Sequence, residues 1–170
     1  MAYSIARLTI YALLSSIKID LRTYIRLNLL ESETLTSLLG DEKAAAVLDR
    51  AARDLSLPKG EVDTFRCLDY IDLGDYVQSL NRRSATLPPD HARYFREITA
   101  NIADLVPIRN RVMHSRPLVH DDLAMTFQVC THLIRSQIPI WSSLKETIRR
   151  LETSPTYVLE LQIPPATDST

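Results

Sequence analysis

The sequence predicts an all-α fold, an up-and-down bundle of about five helices followed by an irregular C-terminal tail. Apolar residues recur every three or four positions through several long segments, the period of an amphipathic helix. Gly40, Pro58-Lys59-Gly60, Pro88-Pro89 and Pro117 separate those segments. No sustained two-residue alternation competes, except in the short string Tyr157-Val158-Leu159-Glu160-Leu161.

The first helix spans about Ser4 to Glu31, with Ile10, Leu13, Leu14, Ile17, Leu21, Tyr24 and Ile25 on its apolar face. Lys18, Arg22 and Arg26 stack four apart elsewhere on its surface. A second helical stretch, Thr34 to Leu55, stops and restarts at Gly40-Asp41. The third, Val62 to Leu80, carries Gly74 within it, which argues against an unbroken helix. Pro88-Pro89-Asp90 begins the fourth, whose core positions are Tyr94, Phe95, Ile98, Ile102 and Leu105. Pro107 either kinks that helix or starts a new one, and the stretch from Ile108 to Arg116 ends at Pro117. Asp121-Asp122 is placed to cap a final helix running towards Leu151, with a kink at Pro139. Residues 1–152 thus form the helical domain. The proline- and threonine-rich residues 153–170 suggest a linker to a further domain in a longer chain.

A chain of 170 residues with 45% hydrophobic and 24% charged residues has a globular balance. Three scattered glycines exclude glycine-rich phosphate loops and dinucleotide-binding turns within these residues. Two cysteines, Cys67 and Cys130, are too few for a disulfide framework and suit a reducing, cytoplasmic setting. The apolar N-terminal stretch is interrupted by Arg7, Lys18, Asp20, Arg22 and Arg26, so neither a signal peptide nor a membrane span is expected. With a formal net charge of −1, any case for nucleic acid must be local.

Such a local case exists between Asn81 and Arg116. Arg82, Arg83, Arg93, Arg96, Arg109, Arg111 and Arg116 there face only Asp90, Glu97 and Asp104. Within this stretch, Asn110 and His114 are four residues apart and share a helix face, while Arg109 lies about 140° from His114 around the axis. RNA supplies its own nucleophile, the ribose 2′-hydroxyl, so cleavage needs proton transfer and charge stabilisation at phosphorus. Histidine can transfer the protons near neutrality, and the planar arginine fork matches phosphate oxygens. Asn110 can orient either partner. The plainer reading is a solvated arginine face with His114 packed at a helix end.

The string Arg109-Asn110-x-x-x-His114, late in an all-α chain, resembles the signature of the HEPN superfamily (higher eukaryote and prokaryote nucleotide-binding domains): an arginine, a polar residue, then histidine. The resemblance implies a metal-independent endoribonuclease without cofactors, whose composite site forms across a homodimer. His114 would act as general acid or base, Arg109 would stabilise the scissile phosphate and Asn110 would position one of them. Arg82, Arg83, Arg111 and Arg116 are candidate RNA-backbone contacts. Family members serve as toxins paired with antitoxins or as antiviral effectors, some fused to sensor or nucleotide-hydrolysing domains. Arg116 stands where toxins paired with a nucleotidyltransferase antitoxin usually carry tyrosine, which puts that form of control in doubt.

Other chemistries are weaker. His120-Asp121-Asp122 and Cys130-x-His132 contain metal-ligand residue types without a spacing that closes a site. No Gly-x-Ser-x-Gly turn supports a serine hydrolase. The stripe Lys18, Arg22, Arg26 is either an RNA groove or a solvated face. The main alternative is a catalytically silent helical module that dimerises, binds RNA or docks a partner.

Overall fold

The seven apolar residues that the helical period assigns to the first helix are all buried, Ile10, Leu13, Ile17, Leu21 and Ile25 completely. Each such side chain contributes about 1.5–3 kcal/mol by leaving water. In the computed structural model, which describes residues 4–160, they lie on α1 (Ile5–Asn28). The other α-helices are α2 (Leu35–Leu39), α3 (Asp41–Leu55), α4 (Thr64–Cys67), α5 (Leu73–Arg82), α6 (Pro89–Met113), α7 (Asp122–Ile134), α8 (Ser142–Thr153) and α9 (Tyr157–Glu160). The described residues contain no strand, and the fold class is all-α.

Six of these helices have ten or more residues, against about five expected. The difference arises at the breaks. Pro139 does not kink a continuous helix: it lies within the break between Ile134, where α7 ends, and Ser142, where α8 begins. A connection held by an Ile138 N–H bond to Ser136 Oγ (3.0 Å) separates α7 from α8. The third segment divides into α4, a 3₁₀ turn at Leu68–Tyr70 and α5. Pro107 has the opposite outcome: α6 continues through it as one helix of 25 residues. That helix begins at Pro89, where the missing N–H costs nothing. Tyr157–Glu160, the expected alternation, is a short helix, and the rest of the tail, residues 161–170, lies outside the described residues.

Packing separates two units, one of residues up to Ile17 with those from Pro107 onward, the other Lys18–Val106. In the second unit, Thr34 and Ser37 form a reciprocal capping box at the start of α2. Gly40 joins α2 to α3 at φ +81°, a backbone region that L side chains rarely adopt. The Arg82 guanidinium lies over it, 2.9 Å from where a Cβ would stand. Tyr24 packs edge-on to Phe95 and shares a 2.6 Å hydrogen bond with His91 Nδ1. In the first unit, Ser16 and Thr147 hydroxyls tie α1 to α8 at 2.6 Å, and Trp141 and Leu144 are fully buried.

Helix α3 ends with Ser56 in the left-handed region at φ 54°, its N–H bonded to the Arg53 carbonyl while Leu57 N–H bonds to that of Ala52. This is a Schellman closure built on a residue other than glycine. Replacing Ser56 by glycine relieves the left-handed strain and is expected to raise unfolding stability by about 1 kcal/mol. An unchanged urea midpoint would contradict it.

Candidate functional site

The three motif residues lie at the end of α6 in the first unit. Arg109 and Asn110 occupy its last turns, half-buried, and His114 is the exposed residue just past Met113. The helical pattern still reaches the histidine, since His114 N–H bonds to the Asn110 carbonyl at 3.1 Å. Arg109 Nη1 donates to Asn110 Oδ1 at 3.1 Å, so the amide engages the arginine. The helix end therefore carries a joined Arg109–Asn110 pair, with an accessible imidazole on the face of Asn110.

The helix stops three residues before Arg116, the end expected from Pro117 alone. Ser115 adopts φ 52°, its N–H reaches the Val112 carbonyl at 3.4 Å, and Arg116 N–H reaches back to the Arg111 carbonyl at 2.9 Å. This second Schellman closure makes His114 the C-cap. Two side chains outside the motif brace it. Arg7, on the first turn of α1, donates through Nη1 to the carbonyls of Arg111 (2.9 Å) and Val112 (3.0 Å), and through Nη2 to that of Arg116 (2.5 Å). A cation at a helix C-terminus also opposes the negative end of the helix dipole. Asp122, buried at the start of α7, accepts Arg111 Nε at 2.8 Å, Arg111 Nη2, and the Val119 N–H at 2.8 Å.

The predicted RNA-backbone arginines have diverse settings. Arg111 makes the two-point pair with Asp122. Arg83, in the other unit, makes a similar pair with buried Glu33 through Nε (2.8 Å) and Nη2 (2.5 Å). Arg82 covers Gly40, and Arg116 is exposed. In the basic stripe on α1, Arg22 and Arg26 share the Asp69 carboxylate at 2.5 and 3.2 Å, and Arg26 stacks on the Phe65 ring at 3.8 Å. Arg7 was not marked by the sequence, because its acceptors are backbone carbonyls more than 100 residues away.

Asp122 also departs from its expected role as a simple cap. The N-cap is Asp121, which makes no side-chain cap bond, while the Asp122 carboxylate serves Arg111 and the preceding loop. Among the described residues no three metal-ligating side chains converge. Cys130 is buried, and burial pushes its thiol up to about 12. No helix among the described residues is long and apolar enough to cross a membrane.

The hydrogen bond from Arg111 holds the Asp122 carboxyl below its usual range, with the Val119 N–H helping and burial opposing. A depressed folded-state pKa stabilises the fold above the unfolded value, about 3.9, and that contribution fades as pH falls through the folded value. Asp122→Asn is therefore expected to cost about 3 kcal/mol at pH 7, since it strands a partly buried arginine. Urea unfolding should show the gap between variant and wild type closing below about pH 4; a gap independent of pH would contradict this. Comparison with protein-family models, curated proteins and solved structures finds no match to this chain.

Proposed function

We propose that the protein is a metal-independent endoribonuclease of HEPN type, with Arg109, Asn110 and His114 as its site and two copies of the chain meeting to complete it. The observation that carries the reading is the joined Arg109–Asn110 pair beside an exposed His114 on one braced helix end. In the reaction a histidine takes the proton of the ribose 2′-hydroxyl, and the 2′-oxygen forms a bond to phosphorus. The P–O5′ bond breaks and the leaving oxygen takes a proton, giving a 2′,3′-cyclic phosphate and a 5′-hydroxyl. Arg109 stabilises the charge that develops on the phosphoryl oxygens.

Arg109 and His114 project about 140° apart around one helix axis. A second copy across a twofold axis supplies the missing partner, and this supports a homodimer over a monomer. A toxin or antiviral effector in the cytoplasm, restrained by an antitoxin or by a fused sensor domain, is the setting that suits such an activity.

A silent docking module is the second reading. It is favoured by the pairing of Arg83 with Glu33 and of Arg111 with Asp122, which removes charge from the surface offered to RNA.

RNA cleavage in EDTA separates the two. Wild type is expected to leave cyclic-phosphate ends, and His114→Ala to lower the rate by about 100-fold or more. Arg109→Lys should also slow the reaction, because the charge remains while the fork is lost. Intact RNA with folded, dimeric wild type would favour the silent module.

A further inference from the structure

We infer that Arg7 is a positioning residue for His114: its guanidinium fixes the backbone on both sides of the histidine and so holds the imidazole where proton transfer requires it. The catalytic part of this inference rests on the ribonuclease reading. The structural part stands on the geometry alone.

A helix C-terminus leaves its last carbonyls without intrahelical partners. Here the Schellman closure supplies donors to two of them, Ser115 N–H to Val112 and Arg116 N–H to Arg111. Both carbonyls have a second lone pair, and Arg7 Nη1 takes each at 2.9 and 3.0 Å. The same guanidinium then reaches past His114 to the Arg116 carbonyl through Nη2. The histidine is thus the middle of a short loop whose start and finish are bonded to one planar, rigid group.

The loop needs such a restraint for two reasons. Ser115 holds a left-handed conformation at φ 52°, in which the Cβ of a non-glycine residue crowds the backbone. Residues 113–117 are exposed, so little apolar burial fixes the turn. The Arg111–Asp122 pair anchors a side chain that precedes the histidine, whereas Arg7 holds backbone on both sides. Hydrogen bonds from a charged donor are stronger than those between neutral groups, and three of them converge on this one turn. A lysine at position 7 retains the charge near the helix end but lacks the fork that spans three carbonyls.

The test compares Arg7→Ala, Arg7→Lys and the double variant Arg7→Ala/Ser115→Gly with wild type. Amide hydrogen exchange at Ser115 and Arg116 should accelerate by about tenfold or more in Arg7→Ala and by less in Arg7→Lys. Single-turnover RNA cleavage should slow by about 10- to 100-fold in Arg7→Ala, with KM nearly unchanged. Glycine at 115 removes the strain that Arg7 opposes, so the double variant should regain part of both the protection and the rate. Wild-type protection at Ser115 and Arg116 in Arg7→Ala overturns the proposal. So does a loss confined to KM that glycine does not repair, because Arg7 would then be binding RNA. If Arg7→Ala fails to fold, the lysine variant supplies the same comparison. Cleavage by His114→Ala at the wild-type rate would sink the ribonuclease reading, while the exchange result would still decide whether Arg7 fixes the turn.

Discussion

The end of α6 is the point on which the first unit's candidate chemistry depends, because a stopping helix leaves carbonyls that need donors from elsewhere. Two donors come from the chain's own turn back over itself at Ser115 and Arg116, and the rest from Arg7 on α1. Remove this closure and nothing in the exposed stretch after Met113 has enough apolar contact to replace it. His114 is therefore fixed by hydrogen bonds to its neighbours' backbone more than by packing of its own ring.

That arrangement needs α1 to be anchored independently of Arg7. The apolar face of its portion up to Ile17 supplies the anchor, with Ile10, Leu13 and Ile17 excluded from water and Ser16 bonded to Thr147 of α8. On the other side, Asp122 joins Arg111 to the loop before α7, so the same carboxylate restrains α6 and sets where the next helix begins. Both braces use a planar guanidinium at two or more points, which fixes orientation as well as distance.

Helical periodicity made the elements legible wherever burial is one-sided. The α1 face and the start at Pro89 followed from spacing and from proline's missing N–H. The effect of an internal proline was less legible: Pro107 is carried within α6, whereas Pro139 falls in a break between helices. Local sequence states the cost of a proline and leaves the tertiary gain that offsets it unstated. The motif at Arg109, Asn110 and His114 was visible as residue types at a spacing, and so was the Arg109–Asn110 adjacency. Arg7 was invisible for a definite reason. Its acceptors are main-chain carbonyls, which every residue has, so no side-chain pattern marks the partner. Asp122 was legible as an acid near a helix start, but its pairing with Arg111 depends on how the intervening loop turns.

Counting arginines overstated the charge available for RNA, and the structure explains by how much in kind. Arg83 and Arg111 each face a buried carboxylate, and Arg22 and Arg26 divide one aspartate between them. Arg7 is occupied by carbonyls at the negative end of α6. Within the first unit, these pairings reduce the positive charge that the motif surface offers. A single copy of so small a charge gives weak, strongly screened attraction for a polyanion. Under the ribonuclease reading, joining two copies would double the charge at one cleft and bring Arg109 of one copy towards His114 of the other, so that one assembly step would serve both binding and chemistry. The braces then gain a further purpose. A composite site tolerates little looseness in either half, since errors in two independently placed groups add at the scissile phosphate, and proton transfer weakens steeply with misplacement.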